Sequence, residues 1–156
     1  MFLSVLRGEK NSIPQTWFGL ESLRQQVLHL KEKDPDHYFR NFKAKLFNNV
    51  VRGVNRVRED PTRPEYLQGK TMGKEYRAWR RIKHIFSGRY RLFFRFFSIN
   101  RNIFLAWMND ELTLRKYGAK TDVYTTFKKM LDNGDIPNTQ EGLMQASVER
   151  DVEKEL

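Results

Sequence analysis

The sequence predicts an α+β fold in which N-terminal helices pack on a small twisted antiparallel sheet and further helices follow the sheet. Apolar residues recur with helical spacing before residue 60 and after residue 120, and aromatic or branched residues alternate with charged ones between residues 79 and 108. A chain of 156 residues can bury one core but not two independent ones. We therefore predict a single domain over residues 1–134 and a polar C-terminal tail, helical or disordered, over residues 135–156.

Two helices are predicted before residue 60. The first begins near Phe18 and ends near Asp34, because the apolar residues between them share one helical face. These residues are Leu20, Leu23, Val27 and Leu30. Asp34 then caps a second helix that has Pro35 as its first residue and ends at Asp60. Its apolar stripe consists of Phe39, Phe42, Leu46, Val50, Gly53 and Val57.

Three strands are predicted at residues 79–86, 89–97 and 102–108, joined as an antiparallel meander. A three-residue loop at 86–88, with Gly88 in the left-handed conformation, places Lys83 opposite Arg91 and separates two faces. The apolar face, expected to pack on the helices, comprises Ile82, His84, Tyr90, Leu92, Phe94 and Phe96. The opposite face, called the cationic platform below, comprises Arg81, Lys83, Arg89, Arg91, Phe93 and Arg95.

Two more helices are predicted after the sheet. Asn109 or Asp110 caps a short helix that runs to Tyr117 and is terminated by Gly118. Thr121 caps the next helix, whose apolar face consists of Val123, Phe127, Met130 and Leu131. The stretch after Gly134 is polar, so we expect it to be only loosely held.

The net charge of +10 is concentrated in one segment. Residues 70–101 contain ten basic residues and one acid, so this fifth of the chain carries +9 of the total. Solvated faces normally intersperse both signs, so the clustering favours a polyanion ligand over a solvated face. Like charges directly opposite each other in a sheet cost up to about 1 kcal/mol per pair, and a bound anion would offset that repulsion on the cationic platform.

Residue content also excludes several classes of site. Without cysteine, the chain has no disulfide framework, thiolate metal site or Cys nucleophile. His29, His37 and His84 are scattered without metal-ligand spacing, and His84 is expected to be a hydrogen-bonded core histidine. No glycine-rich phosphate loop occurs, and no cofactor is expected.

No apolar stretch approaches the ~20 residues of a membrane span, and the run Phe2 to Leu6 is shorter than a signal-peptide core, so we expect a cytoplasmic protein.

Arginine, lysine and tyrosine around a sheet suit phosphodiester cleavage without a metal. When the 2′-hydroxyl of RNA attacks the adjacent phosphate, negative charge develops there, and fixed cations stabilise it. Neighbouring arginines would lower the pKa of Lys83 and let it exchange protons nearer neutrality. Tyr117 is a candidate to orient or protonate the leaving group, although a tyrosine before a C-capping glycine more often only packs.

Several runs of the sequence resemble the YhaV toxin family of the RelE superfamily. They are GRYRLFFRF at 88–96, WMNDE at 107–111, LRKYG at 114–118 and KTDVYTTFKKML at 120–131, with LKEKDP at 30–35 and WRRIK at 79–83. The resemblance implies helices packed on a small twisted antiparallel sheet, with Phe2 to Leu6 as a divergent first strand. It also implies ribonuclease activity that arrests translation, RNA including ribosome-bound mRNA as substrate, and neutralisation by a PrlF-like antitoxin.

The superfamily pattern places basic residues on the middle strands and an Arg/Tyr pair near the last helix. Carried over to this sequence, it implies the catalytic residues Arg81, Lys83, Arg91, Arg115 and Tyr117. We expect RNA to be bound by Lys70, Lys74, Arg77, Arg89, Arg95 and Lys120. Asp110 and Glu111 depart from the pattern, which has a general base in that region. A non-catalytic RNA- or ribosome-binding module and a ParE-like gyrase inhibitor are the alternative functions at this point.

The position of Arg91 in the middle of its strand predicts a separation between chemistry and binding. Its guanidinium could hold a phosphate through two hydrogen bonds, so Arg91→Ala is expected to abolish toxicity while leaving a folded protein. Loss of Arg77 or Lys74 is instead expected to weaken RNA binding through lost electrostatic attraction.

Overall fold

The computed structural model describes residues 3–6, 18–85 and 88–148. Its helices are α1 (Phe18–Lys33), α2 (Phe42–Glu59), α3 (Val123–Asp132) and α4 (Gln140–Ala146). Its strands are β1 (Leu3–Leu6), β2 (Arg80–Ile82), β3 (Leu92–Phe97), β4 (Asn102–Met108) and β5 (Ser147–Val148). The predicted α+β class is confirmed, and the sheet has the strand order β2-β3-β4-β1-β5.

Strands β2, β3 and β4 form the predicted antiparallel meander, and β1 joins it at β4. Strand β1 pairs antiparallel with β4, with Ser4 opposite Leu105, and β5 runs parallel to β1. Within the run expected to replace the family's first strand, Leu3–Leu6 therefore forms a strand, and it lies in the interior of the sheet order rather than at an edge.

The register of the first hairpin agrees with the prediction. Arg81 pairs with Phe93 and Ile82 with Leu92, and the same register continued one step would place Lys83 opposite Arg91. Gly88 has the expected left-handed backbone, with φ of 71°, while loop residues 86 and 87 lie outside the described residues. Strands β2 and β3 are both shorter than predicted. Arg91 was predicted to lie within β3, but its backbone N–H donates to the Asn109 side chain at 2.6 Å instead of to a neighbouring strand.

Both faces of the sheet are covered by helices. Leu92 and Phe94 of β3 are buried in one cluster with the apolar residues of α1 and α2. Phe93 lies between them in sequence but is buried in a second cluster with Phe104 and Phe127. The Phe93 and Phe127 rings stack with their centroids 4.1 Å apart. Successive side chains of a strand point to opposite faces, so β3 supplies both clusters.

The prediction of an open cationic platform is wrong. Helix α3 lies on that face and leaves Phe93 with 0% and Arg91 with 9% of its surface exposed. Arg95 is half-buried, with its guanidinium against the rings of Trp79 and Phe97. The aromatic residues among the arginines make this face apolar enough to favour burial under a helix. His84 was expected in the core on the other face, but it is exposed.

The first helix is confirmed, whereas the second begins later than predicted. Asn41 caps α2 by accepting a hydrogen bond from the backbone N–H of Lys43 at 2.9 Å. Asp34, the predicted cap, instead contacts the His37 ring in a turn before a short 3-10 helix at Tyr38–Arg40. Gly53 faces β2, where a Cβ would lie 3.3 Å from a methyl group of Ile82, so the glycine permits close packing of helix on strand.

The short helix predicted between residue 109 and Tyr117 is absent from the structure, where this segment forms turns. The side chain of Asn109 is buried and donates to the carbonyls of Arg89 and Thr113, at 3.1 and 3.0 Å. These bonds hold the segment beside the start of β3 in place of helical hydrogen bonds. Helix α3 is capped by Asp122, one residue after the predicted Thr121.

The segment after Gly134 contributes to the second cluster as far as α4. Ile136 is 1% exposed and Leu143 of α4 is 0% exposed, and both belong to the same buried cluster as Phe127. In the part of the chain that the structure describes, no helix is long and apolar enough to cross a membrane.

Candidate active site

Three arginines converge on the side chain of Tyr124, in the first turn of α3. Arg81 on β2 and Arg91 just before β3 each donate a hydrogen bond from Nε to the Tyr124 hydroxyl, at 2.9 and 3.1 Å. The Arg115 guanidinium lies over the Tyr124 ring, 4.8 Å from its centroid. We call Arg81, Arg91, Arg115 and Tyr124 the arginine–tyrosine cluster.

The two bonds to its oxygen define what the Tyr124 hydroxyl can do. A phenol oxygen has two lone pairs and one proton, and two guanidinium donors occupy the lone pairs here. The proton is then directed away from both arginines and is available for donation to an acceptor. A hydroxyl held as a donor among cations suits an anionic ligand such as a phosphate oxygen.

Arg91 is also the anchor of the loop that precedes β3. Its Nη1 donates to the carbonyl oxygens of Gly88 and Tyr90, at 2.7 and 2.9 Å, and more weakly to that of Lys83 at 3.4 Å. Two of its nitrogens are therefore engaged within the protein. Arg91 can act as a fixed positive charge, but it is less free than predicted to grip a phosphate with two hydrogen bonds.

Asp122 holds Arg115 in the cluster through an ion pair of 2.7 Å in which the Asp122 side chain is 3% exposed. The same carboxylate accepts hydrogen bonds from the backbone N–H groups of Lys116 and Tyr124, at 2.6 and 3.1 Å. Burial alone would raise the pKa of Asp122. The hydrogen bonds from Arg115 and the backbone lower this pKa by more than burial raises it, so the net pKa lies below the usual value.

Tyr117 is a second aromatic contact of Arg115. Its ring centroid is 4.0 Å from the guanidinium carbon, so Arg115 contacts the rings of both Tyr117 and Tyr124. Unlike Tyr124, which is 6% exposed, Tyr117 is 91% exposed. A phosphate that approached this surface would therefore meet the Tyr117 hydroxyl and Arg115 first.

The structure brings together four of the five residues predicted to be catalytic, Arg81, Arg91, Arg115 and Tyr117, but not the side chain of Lys83. Lys83 follows the last residue of β2 and lines a groove with residues of α2. Its contact with Arg91 is through its backbone carbonyl. Sequence reasoning missed Tyr124 and Asp122. Tyr124 does share a helical face with Phe127 and Leu131, at spacings of three and seven, which was an available signal.

The residues predicted to bind RNA lie in different settings. Lys70, Lys74 and Arg77 are exposed on the segment between α2 and β2, and Arg89 and Lys120 are also exposed. Arg95 differs, because it donates to the Asn138 side chain at 2.9 Å and burial lowers its pKa. The Arg95 guanidinium contacts Asn138 and the rings of Trp79 and Phe97, rather than Tyr124. Among the described residues, no group of His, Asp or Glu is arranged to hold a metal ion.

The hydrogen bonds to Tyr124 predict a measurable contribution to stability. Tyr124→Phe keeps the ring but leaves Arg81 and Arg91 without their shared acceptor, so we expect the free energy of unfolding to fall by about 1–3 kcal/mol. The matched control is Tyr117→Phe, which removes an exposed hydroxyl and should change stability by less than about 0.5 kcal/mol. Urea denaturation measures both. Equal stabilities of the two variants would show that the bonds to Tyr124 contribute little.

Comparison with known proteins places this geometry in context. A family model described as a toxin with endonuclease activity, of a toxin-antitoxin system (Toxin_YhaV), matches residues 14–148. Toxin YhaV of Escherichia coli O6:H1 strain CFT073 is 42% identical over 131 residues, which cover 83% of this chain and 84% of the relative. Ribonuclease toxin YhaV of Escherichia coli strain K12 is 41% identical over 131 residues, with the same coverage. No solved structure is a significant match to the chain.

Proposed function

The chain belongs to the YhaV toxin family, and from that premise we propose that it is an endoribonuclease toxin that cleaves RNA at the arginine–tyrosine cluster. The observation that supports this site is the convergence of Arg81 and Arg91 on the Tyr124 hydroxyl, with Arg115 over the ring. Concentrated positive charge with an oriented hydroxyl donor is what a phosphodiester transition state requires.

The proposed reaction is attack by the 2′-oxygen of a ribose on the adjacent phosphorus. A new P–O2′ bond forms as the proton of the 2′-hydroxyl passes to a water molecule, the P–O5′ bond breaks, and the 5′-oxygen takes up a proton as it leaves. Negative charge grows on the phosphate oxygens during this step. The Tyr124 hydroxyl donates to one such oxygen, and the guanidinium groups of Arg91 and Arg115 stabilise the charge without rearranging, because protein contacts already hold them. The arginines supply the positive charge, so we propose a reaction without a metal.

Tyr117 is the proposed donor to the departing 5′-oxygen. Its ring stacks on Arg115 and its side chain is exposed, so its hydroxyl lies where a bound strand can reach it. Lys83 was the predicted proton-exchanging group, but its position in the groove of α2 and β2 favours a binding role. We propose the exposed residues Lys70, Lys74, Arg77, Arg89 and Lys120 as contacts to the phosphates of flanking RNA.

As the toxin of a toxin–antitoxin system, the chain has an antitoxin partner and an RNA substrate. We propose further that the antitoxin is PrlF-like, that the substrate is mRNA, cleaved on the ribosome or free, and that cleavage arrests translation in the cytoplasm. A separate RNA-binding or gyrase-inhibiting role has no observation in its favour beyond the positive charge.

Mapping transcript ends in cells tests the proposed function. When the chain is induced without its antitoxin, we expect new 5′ ends within mRNAs shortly before growth stops. Persistence of these ends after translation initiation is blocked would indicate cleavage of free RNA, and their loss would indicate cleavage on the ribosome. A culture that induces Arg115→Ala to the same level serves as the control. Growth arrest with intact transcripts would contradict the ribonuclease assignment.

A further inference from the structure

A second basic feature lies beside the cluster, in a groove of about 280 Å³ between α2 and β2. Its volume is close to the lower end of the range of small-molecule sites, about 300 Å³. The side walls include Arg52 and Arg56 of α2, and Ile82 and Lys83 at the end of β2. Nothing in the proposed cleavage step uses this groove.

The charges of the groove favour an anion. Arg52, Arg56 and Lys83 are cationic, and Glu65 is the one acidic residue in the lining. Glu65 is already paired with Arg56 at 3.2 Å, both side chains being about half exposed. The lining therefore has an excess of two positive charges. Within the described part of the chain, Arg52 and Lys83 form no ion pair, whereas Arg56 does.

The lining also contains two ring side chains, of which Tyr66 is buried and His84 is exposed. Tyr66 is 2% exposed, and its hydroxyl is buried without a hydrogen-bond partner among the described residues. Ile82 is 7% exposed, while His84 is exposed at the mouth of the groove. Cations together with an exposed ring match a nucleotide, which has a phosphate and a flat base, better than they match a phosphate alone.

The groove is joined to the arginine–tyrosine cluster through two backbone carbonyls. Glu65, in the groove lining, accepts a hydrogen bond from Arg81 Nη1 at 2.7 Å, and Lys83 accepts one from Arg91 Nη1 at 3.4 Å. Strand β2 is the last strand of the sheet order and only three residues long, and on its outer side Leu67 is bridged to its first residue, Arg80. A single RNA strand crossing this short edge can therefore contact the cluster on one side and the groove on the other.

We propose that the groove binds one nucleotide of the RNA that flanks the cleaved phosphate, with its own phosphate held by Arg52 and Lys83 and its base against the exposed ring of His84. The inference rests on the proposed function, because it assumes that the cluster is where RNA is cleaved. The groove holds the substrate strand in register with the cluster, so its effect is on affinity for RNA and on the choice of cleavage position.

The test uses the full chain and two probes. A single-stranded oligodeoxynucleotide lacks the 2′-hydroxyl and reports binding without cleavage, and an RNA of the same sequence reports kcat and KM. We expect Arg52→Gln to raise the Kd for the oligodeoxynucleotide and the KM for RNA about tenfold, a change of about 1.4 kcal/mol. Glu65→Gln should lower both severalfold, because it removes the acid and leaves the carbonyl that binds Arg81. The matched control is Lys45→Gln, an exposed charge on the same helix outside the groove, which should leave both constants unchanged.

The outcomes separate the groove from the cleavage site. If Arg52→Gln and Lys45→Gln have the same Kd and KM while RNA is cleaved, the groove proposal is wrong and the cleavage proposal stands. If the Kd depends on Arg52 and Glu65 but no RNA is cleaved, the groove binds nucleotides and the cleavage proposal fails. If Arg52→Gln weakens binding of the antitoxin but not of the oligodeoxynucleotide, the groove is a protein contact and our inference is overturned.

Discussion

Replacing Arg91 with glutamine is expected to reduce the rate of RNA cleavage at saturating RNA by roughly 100- to 1,000-fold, the usual effect of losing one preorganised donor at a developing anion. The substitution removes a buried positive charge that touches the Tyr124 hydroxyl. Without Arg91, that hydroxyl loses one of the two donors that direct its proton outward. Single-turnover cleavage by purified protein measures the effect.

From the sequence, Arg91→Ala was expected to abolish toxicity while leaving a folded protein, but the contacts of Arg91 predict a loss of stability as well. Because Arg91 donates to the carbonyls of Gly88 and Tyr90, truncation to alanine would leave the buried Tyr90 acceptor unpaired and cost about 1–3 kcal/mol of stability. Glutamine retains a donor, and Arg91→Lys retains the charge as well. Lysine should therefore preserve more activity than glutamine at similar stability. A folded Arg91→Gln protein with the wild-type single-turnover rate would remove Arg91 from the proposed mechanism.

Arg77→Gln is the matched comparison for Arg91→Gln, because it removes the same charge from an exposed position before β2. Here the expected effect is on KM, which should rise a fewfold and become less sensitive to salt, since a lost phosphate contact reduces counterion release. A larger effect of Arg77→Gln than of Arg91→Gln on the single-turnover rate would move the catalytic centre towards the loop.

Asp122→Ala is expected to destabilise the protein by about 3–5 kcal/mol, the cost of leaving the partner of a buried ion pair unpaired. The change removes the 2.7 Å ion pair to Arg115 and the two backbone hydrogen bonds that position the start of α3. Arg115 would lose its anchor beside Tyr124, so cleavage should fall as well. Urea denaturation measures the stability. Asp135→Asn, a change in an exposed side chain beyond the other end of α3, should stay within about 0.5 kcal/mol of the wild type.

The lowered pKa of Asp122 makes its contribution depend on pH in a defined direction. A carboxylate whose folded-state pKa lies below its unfolded value of about 3.9 stabilises the fold above that value and loses the contribution as pH falls through the folded-state pKa. The stability difference between wild type and Asp122→Asn should thus be constant from about pH 7 to pH 5 and shrink below about pH 4. A difference that grew on acidification would contradict a lowered pKa for Asp122.

Local features of the sequence determined most of the secondary structure. The bounds of α1 follow from its apolar spacing and from the Asp34-Pro35 pair, and β4 was predicted to the residue. The register of β2 against β3 followed from the need to separate charged from apolar side chains across a glycine-containing loop. These features could be predicted because each depends on residues close together in the chain.

Where several residues can cap a helix, the local sequence was not enough to predict which of them does so. Asp34, Asn41, Asn109, Asp110, Thr121 and Asp122 are all acceptable N-cap residues, and only Asn41 and Asp122 cap long helices. Asn109 is used instead to tie the segment after β4 to Arg89 and Arg91. Which side chain caps and which one bridges depends on the strands it meets after folding.

The sequence by itself determined the family and the segment in which positive charge is concentrated. It also identified Arg81, Arg91, Arg115 and Tyr117 as candidate catalytic residues. Only the tertiary structure decided how these residues are used. Helix α3 packs across the arginine-bearing face because Phe93 and Phe127 bury apolar surface there, and this brings Tyr124 onto two arginines that precede it by 43 and 33 residues. The same packing buries Arg91, while Lys83 lies in the groove beside α2. Contacts over such separations arise from the burial of whole faces, which the spacing of residues in one segment does not specify.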